Sequence, residues 1–306
     1  MKKTIFNFIL VAMIGLGFAA CEDVIDIDLD EGTPQITVDA LISDSDENPH
    51  VKLTLSGQYF DAASVKPIMD ATLSLTDSEG NMYSFDEPDS EGRYYLTNGI
   101  SNVTAGNTFT LQIDYNNEQY KAESTVRDIP PIDSISWARE KVPFGDVDSI
   151  WAVQFWATDL EGLGDAYWVR PMREGVVNND PGKIVIGYDG STGRGSKIDG
   201  IPFILPIRAA ITPGGFAGPP SDEELAGVGD EIGVQLYSIS LEFAEFLTIM
   251  SEQLNNGGLF AETPANLPTN VINQDENGRN GLGWFFVGKM KTDSGVISWE
   301  KSNNKQ

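Results

Sequence analysis

The sequence predicts a mainly β protein: an N-terminal Ig-like or transthyretin-like β-sandwich, followed by a second β-rich domain with one amphipathic helix. Three observations carry this expectation. Apolar residues recur with a period of two in short runs, the pattern of half-buried strands. The 306 residues include 31 Gly and 16 Pro, and Asn and Asp gather between the runs, where turns belong. One stretch, Leu241 to Leu254, spaces its apolar residues as a helix does.

The first 31 residues stand apart. Lys2 and Lys3 precede an apolar run from Ile5 to Phe18, and Ala19, Ala20 and Cys21 close it. A basic start, a short apolar core and small residues before a cut site make a secretory leader. The run falls short of the roughly 20 apolar residues that a membrane span needs. Cys21 is the only cysteine, and it sits at the expected cleavage point. Secreted domains carry cysteines in pairs, so a lone one here reads as the lipidation site of a bacterial lipoprotein. Phe18 stands where the usual box has Leu. Residues 1–20 are therefore assigned as signal peptide. Residues 21–31, with Glu22, Asp23, Asp26, Asp28, Asp30 and Glu31, form an acidic tether.

Residues 32–127 read as the sandwich. Ile36, Val38, Ala40 and Ile42 fall on one face of a first strand, and Val51, Leu53 and Leu55 on one face of a second. Ala71, Leu73 and Leu75 make a third, returned by the turn Asp77–Asn81 into Met82–Phe85. Arg93–Leu96 is short. Phe109, Leu111, Ile113 and Tyr115 alternate strongly, and Asn116-Asn117 turns that strand back into Tyr120–Val126 as a hairpin. Seven short strands in this length fit a small sandwich.

Residues 128–306 read as the second domain. Pro130-Pro131 marks the boundary, because consecutive prolines break a sheet ladder. Ile132–Trp137, Ile150–Ala157 and Ala166–Met172 are strands, the last two joined by the turn Asp159–Gly162. From Val176 to Pro220 the chain reads as a long loop rich in Gly, Asp and Pro, with a short apolar piece at Ile204–Ile207. Ile232–Tyr237 is a strand leading to the helix, which Ser240 is placed to cap. Phe243, Phe246, Leu247, Met250 and Leu254 form its apolar stripe, read as core packing, and Asn255–Gly258 ends it. Pro264–Val271 is an extended connector. Gly281–Val287 is expected to pair with Val296–Trp299 across a turn at Asp293–Gly295.

Composition excludes some functions. Without Met1–Ala20 the chain keeps 18 basic and 46 acidic side chains, a net charge of −28, so nucleic acid is not an expected partner. A single histidine, His50, leaves little for a His-based triad. Asp44, Asp46 and Glu47 read as a solvated turn, and Asp275–Gly281 lacks the closing Glu of a calcium loop, so no metal or cofactor is expected. Forty-six acids make a close carboxylate pair inevitable, and no motif singles one out for hydrolysis. Trp137, Trp151, Trp156, Trp168 and Tyr167 are the candidate stacking platforms, with core burial the favoured reading.

One pattern runs through these parts. Cys21 leads into Val24-Ile25-Asp26-Ile27, a β domain follows, and then comes Pro130-Pro131-Ile132-Asp133-Ser134-Ile135. Gly229-Asp230, the helix, Gly258-Leu259-Phe260, the Pro264–Val271 connector and Gly281-Leu282-Gly283-Trp284-Phe285 complete it. In this order the motifs resemble the Bacteroidota lipoproteins of the domain of unknown function 4249 family. The resemblance implies an outer-membrane lipoprotein, anchored through lipid on Cys21, at the cell surface or on the periplasmic face. It also implies a place beside a TonB-dependent transporter. It carries over no catalytic or ligand-binding residue. The expected function is a non-catalytic accessory role in nutrient uptake; the alternative is a surface glycan- or protein-binding module.

Overall fold

The computed structural model describes residues 33–57, 65–141, 148–195, 197–214, 225–256 and 265–299. The leader, the acidic tether and Cys21 lie outside the described residues. The described residues are mainly β, as expected, with several sheets and an amphipathic helix.

The strands of the N-terminal part are β1 (Ile36–Ser43), β2 (His50–Leu55), β3 (Lys66–Pro67), β4 (Thr72–Asp77), β5 (Met82–Tyr83), β6 (Arg93–Tyr95), β7 (Thr108–Tyr115) and β8 (Glu118–Thr125). All seven expected runs are present, and β3 is an addition. Alternation does the work here. Ile36, Val38, Ala40 and Ile42 of β1 are buried, as are Phe109, Leu111 and Ile113 of β7, and together they build one core between two sheets. Asn116 and Asn117 have φ of 52° and 62°, so both central residues of the β7–β8 turn are left-handed, as a type I′ hairpin demands.

The rest of the chain adds β9 (Ile132–Lys141), β10 (Ser149–Ala157), β11 (Ala166–Arg173), β12 (Val176–Val177), β13 (Val185–Tyr188), β14 (Glu231–Ile239), β15 (Ile272–Asn273), β16 (Leu282–Gly288) and β17 (Met290–Val296). β9 and β10 form a two-stranded ribbon. It packs on a sheet in which β11 is flanked by β14 and β17 on one side and by β12 and β13 on the other. Although 150–157 and 166–172 are consecutive strands, they lie in different sheets. The described part of 176–220 is more ordered than a loop. It holds β12, a 3-10 turn at Pro181–Lys183, β13, a short helix at Leu205–Arg208 and a second 3-10 turn at Ala209–Ile211.

The helix runs Leu241–Leu254. Ser240 Oγ accepts from the Phe243 N–H at 3.1 Å, the expected N-cap. Phe243, Phe246 and Leu247 are buried, but the stripe fades at its end, where Leu254 is 59% exposed.

The pairing expected for the C-terminal strands is overturned. β16 does not turn back onto Val296–Trp299. It runs parallel to β1, from Thr37 opposite Leu282 to Ser43 opposite Gly288. Lys289 alone separates it from β17, which pairs antiparallel with β14 and contains Asp293, Ser294 and Gly295 within the strand. The physical reason is burial on both faces. Phe285 and Val287 enter the first core, while Trp284 and Phe286 pack with the helix residue Phe243, whose ring is stacked on both at 5.4 and 5.2 Å. Nor is Gly295 a turn residue: a Cβ there would lie 2.8 Å from the Trp137 ring.

The expected boundary at Asp128 therefore does not keep later residues out of the first sandwich. β15 pairs with β8, β16 pairs with β1, and Val271, Phe285 and Val287 belong to the first core. The described residues from Pro34 onward form one compact unit.

Candidate functional site

The outer edge of β11 is interrupted. β13 pairs with Ala166–Val169 and β12 with Met172–Arg173, which leaves Arg170 and Pro171 between them. Pro171 has no N–H to give on that edge, so the ladder loses a donor there. Its carbonyl accepts from the Asn178 N–H at 2.8 Å, and the chain then leaves the sheet. Asp180 caps the 3-10 turn that follows, its Oδ1 accepting from the Gly182 N–H at 2.9 Å.

This break in the ladder and the short helix wall a cleft of about 1010 Å³. Ile207 of the helix is fully buried, and Phe203 before it packs edge-on to Phe155 and against Tyr167. Thr212 fixes the far wall to β10: its Oγ1 donates to the Val153 carbonyl at 2.8 Å and accepts from the Val153 N–H at 3.0 Å. The lining is mostly apolar, with Met172, Val177, Ile184, Leu205 and Ala210 among its side chains. Among the described residues its only charged groups are Arg173 and Lys183. Arg173 Nη2 donates to Asp230 Oδ2 at 2.6 Å and to the Leu225 carbonyl at 3.2 Å, so its guanidinium is held in place. A second hollow of about 610 Å³ lies between the helix and β13, with an Arg194–Glu245 ion pair of 3.0 Å in its lining.

The residues singled out in the sequence lie elsewhere. Asp44 Oδ1 accepts from the Met290 N–H at 2.9 Å and Asp46 Oδ2 from the Ser43 N–H at 2.8 Å, so both carboxylates pin the chain after β1. His50 sits on β2, its Nδ1 3.0 Å from the Asn48 carbonyl and its ring 5.1 Å from that of Tyr95. In the 275–281 stretch, Asp275 and Gly278 close a backbone turn. Among the described residues no three His, Cys, Asp or Glu side chains are grouped to hold a metal. Tyr167, Trp151 and Trp137 are buried, and Trp156 and Trp168 are half-buried beneath Arg208 and Arg170 at 3.9 and 4.7 Å.

Two buried acidic knots accompany the sandwiches. Burial opposes ionisation of Asp77, but hydrogen bonds from Asn81, Asn102 and Tyr83 outweigh it and hold the carboxyl far below its ordinary range. Asp159 is the opposite case. Burial raises its pKa, and the charges of Asp189 and Asp199 add to the rise, although Tyr167 Oη donates to it at 2.8 Å and the Gly200 N–H at 3.2 Å. Asp189 accepts from the Gly164 and Asp165 N–H groups at 2.7 and 2.8 Å. These acids tie loops together.

The cleft residues escaped sequence reasoning because each is ordinary by itself. Two signals for them were present: a proline inside the strand 166–172, and the apolar piece at 204–207 within a polar stretch. Neither a curated protein nor a solved structure matches the chain. The family model described as Domain of unknown function (DUF4249) matches residues 22–294, and the chain belongs to that family.

Proposed function

We propose that this chain is a lipid-anchored, non-catalytic accessory protein of a Bacteroidota outer membrane, working beside a TonB-dependent uptake transporter and receiving a ligand in the cleft along β11. The observation that carries the reading is the lone Cys21 at the end of a secretory leader. Acyl chains on that sulfur, at about 0.8 kcal/mol per buried methylene, hold a folded body at a bilayer. The cleft supports a receiving role: an apolar, concave lining with a few polar groups is what small-ligand sites share. Thr212 and Arg173, which line it, are already engaged with the backbone and with Asp230, which suits orientation of a ligand better than turnover.

The test combines two measurements on native membranes. Mass spectrometry of the purified protein is expected to find the leader removed and Cys21 acylated. Crosslinking and pull-down are expected to recover a transporter. A bare sulfur, or recovery without any transporter, refutes the reading.

A further inference from the structure

We propose that Arg208, on the outer face of the β9–β10 ribbon, is the recognition residue of a carboxylate site: its guanidinium, held on the Trp156 indole, takes a monoanionic carboxylate end-on through its two Nη groups. Arg208 and Trp156 line neither of the two hollows described above, and the inference does not rest on the role read for the cleft along β11.

The first support is a cation without a counter-ion. The chain carries 46 acidic and 20 basic side chains, so acids are plentiful. The other half-buried arginines use them or their equivalents. Arg93, Arg127 and Arg173 reach Asp89, Asp165 and Asp230, and Arg170 donates to Gln235 and Asn179. Among the described residues nothing accepts from Arg208: its Nε is buried and unpartnered, and its Nη groups keep their donors for solvent. Burial alone acts on its pKa, lowering it, and no neighbouring charge repays that cost. A cation at a helix C-terminus also meets the helix dipole, but the four residues Leu205–Arg208 supply little of one.

The second support is orientation. Trp151, Val153, Phe155 and Ala157 of β10 enter the second core, so Trp156 points to the opposite face. Its Nε1 donates to Ser136 Oγ of β9 at 2.7 Å, which fixes the indole. The guanidinium lies 3.9 Å from the ring centroid and is held there by it. An arginine fixed in this way has little side-chain freedom left to lose when an anion arrives.

The form of the donors selects the ligand. Two parallel Nη donors match the two coplanar oxygens of a carboxylate. A single positive charge suits a monoanion, whereas a phosphate dianion calls for a second cation, and none acts on Arg208 among the described residues. A free carboxylate ligand and an acidic side chain of a partner protein share this chemistry.

The test is a nuclear magnetic resonance titration of the isotope-labelled mature chain at constant ionic strength, following the Trp156 indole N–H, assigned through Trp156→Phe. Acetate represents the free ligand and N-acetylaspartate N-methylamide the protein side chain; chloride and phosphate are the controls. At least one carboxylate is expected to saturate, with half-saturation at about 10–100 mM, the strength of one charge-assisted fork. The tighter of the two names the source. The Trp137 indole, which faces the core and donates to the Ser298 carbonyl, is expected to stay unshifted. Arg208→Lys keeps the charge and loses the fork, and is expected to weaken the carboxylate about fivefold or more; Arg208→Gln is expected to abolish saturation. Thermal unfolding of both variants reports that the fold is kept. A Trp156 signal that no carboxylate saturates, saturation equalled by chloride or phosphate, or saturation undiminished in Arg208→Gln overturns the proposal.

Discussion

A fragment ending at Arg127 should not fold, although its sequence looks like a complete small sandwich. In the structure β1 has β2 on one side and β16 on the other, and cutting at 127 removes β16 entirely. Val271, Phe285 and Val287 leave with it, and each is fully buried in the first core. At about 1.5–3 kcal/mol per buried apolar side chain, their loss costs about 5–9 kcal/mol. A whole domain commonly has only about 5–15 kcal/mol of stability. The β1 backbone groups that pair with β16 would also lose their partners, and unpaired buried groups add to the cost. The assay is urea unfolding followed by far-ultraviolet circular dichroism on residues 33–127 and on 33–299. The longer chain should show a cooperative transition and the fragment none. A fragment that unfolds cooperatively, with a midpoint close to that of the longer chain, would refute the account of a core shared by both ends of the sequence.

Four further outcomes are expected. Gly283 has φ +81° and a Cβ there would lie 2.0 Å from the Val38 carbonyl oxygen, whereas Gly80, at φ +89°, faces open space. Gly283→Ala should therefore destabilise by about 2 kcal/mol or more beyond Gly80→Ala, as read by urea midpoints. Asp77 has a folded pKa below its unfolded one, so its contribution is complete above about pH 4 and fades as pH falls toward the folded value. Asp77→Asn should cost about 1–3 kcal/mol at neutral pH and flatten the acid limb of the stability profile. Asp159 has a raised folded pKa, so it favours the fold below its unfolded pKa and loses that contribution as pH rises through the folded one. Asp159→Asn, which keeps an acceptor for Tyr167, should gain on the parent between about pH 4 and neutral pH, measured as a difference in midpoints. Ser240→Ala should lose about 1 kcal/mol of stability through the Phe243 N–H that it leaves uncapped, checked by thermal unfolding.

What was legible in the sequence is what local chemistry determines. Strands with one dry and one wet face, such as β1 and β7, declared themselves by alternation. The β7–β8 hairpin was visible in Asn116-Asn117 and the helix start in Ser240. Pairing between distant segments was not legible. β16 is dry on both faces, so its residues do not alternate, and nothing in Leu282–Gly288 points to β1. The same limit hid the cleft. Pro171 signals only that a ladder is broken, and the short helix that walls the gap comes from a stretch read as loop. The long-range arrangement that brings Leu205 near Val177 exists only once the sheet has formed.

The parallel pairing of β1 with β16 also sets the order of events during synthesis. Gln35, just before β1, donates to the Asn280 carbonyl, 245 positions along the chain. Chains emerge at about 5–20 residues per second, so the opening strand waits many seconds for its neighbour. Contacts of such separation slow folding, because loop closure precedes any reward. The sheet around β1 is therefore completed only when β16 arrives, and until then one edge of the opening strand stays without its partner.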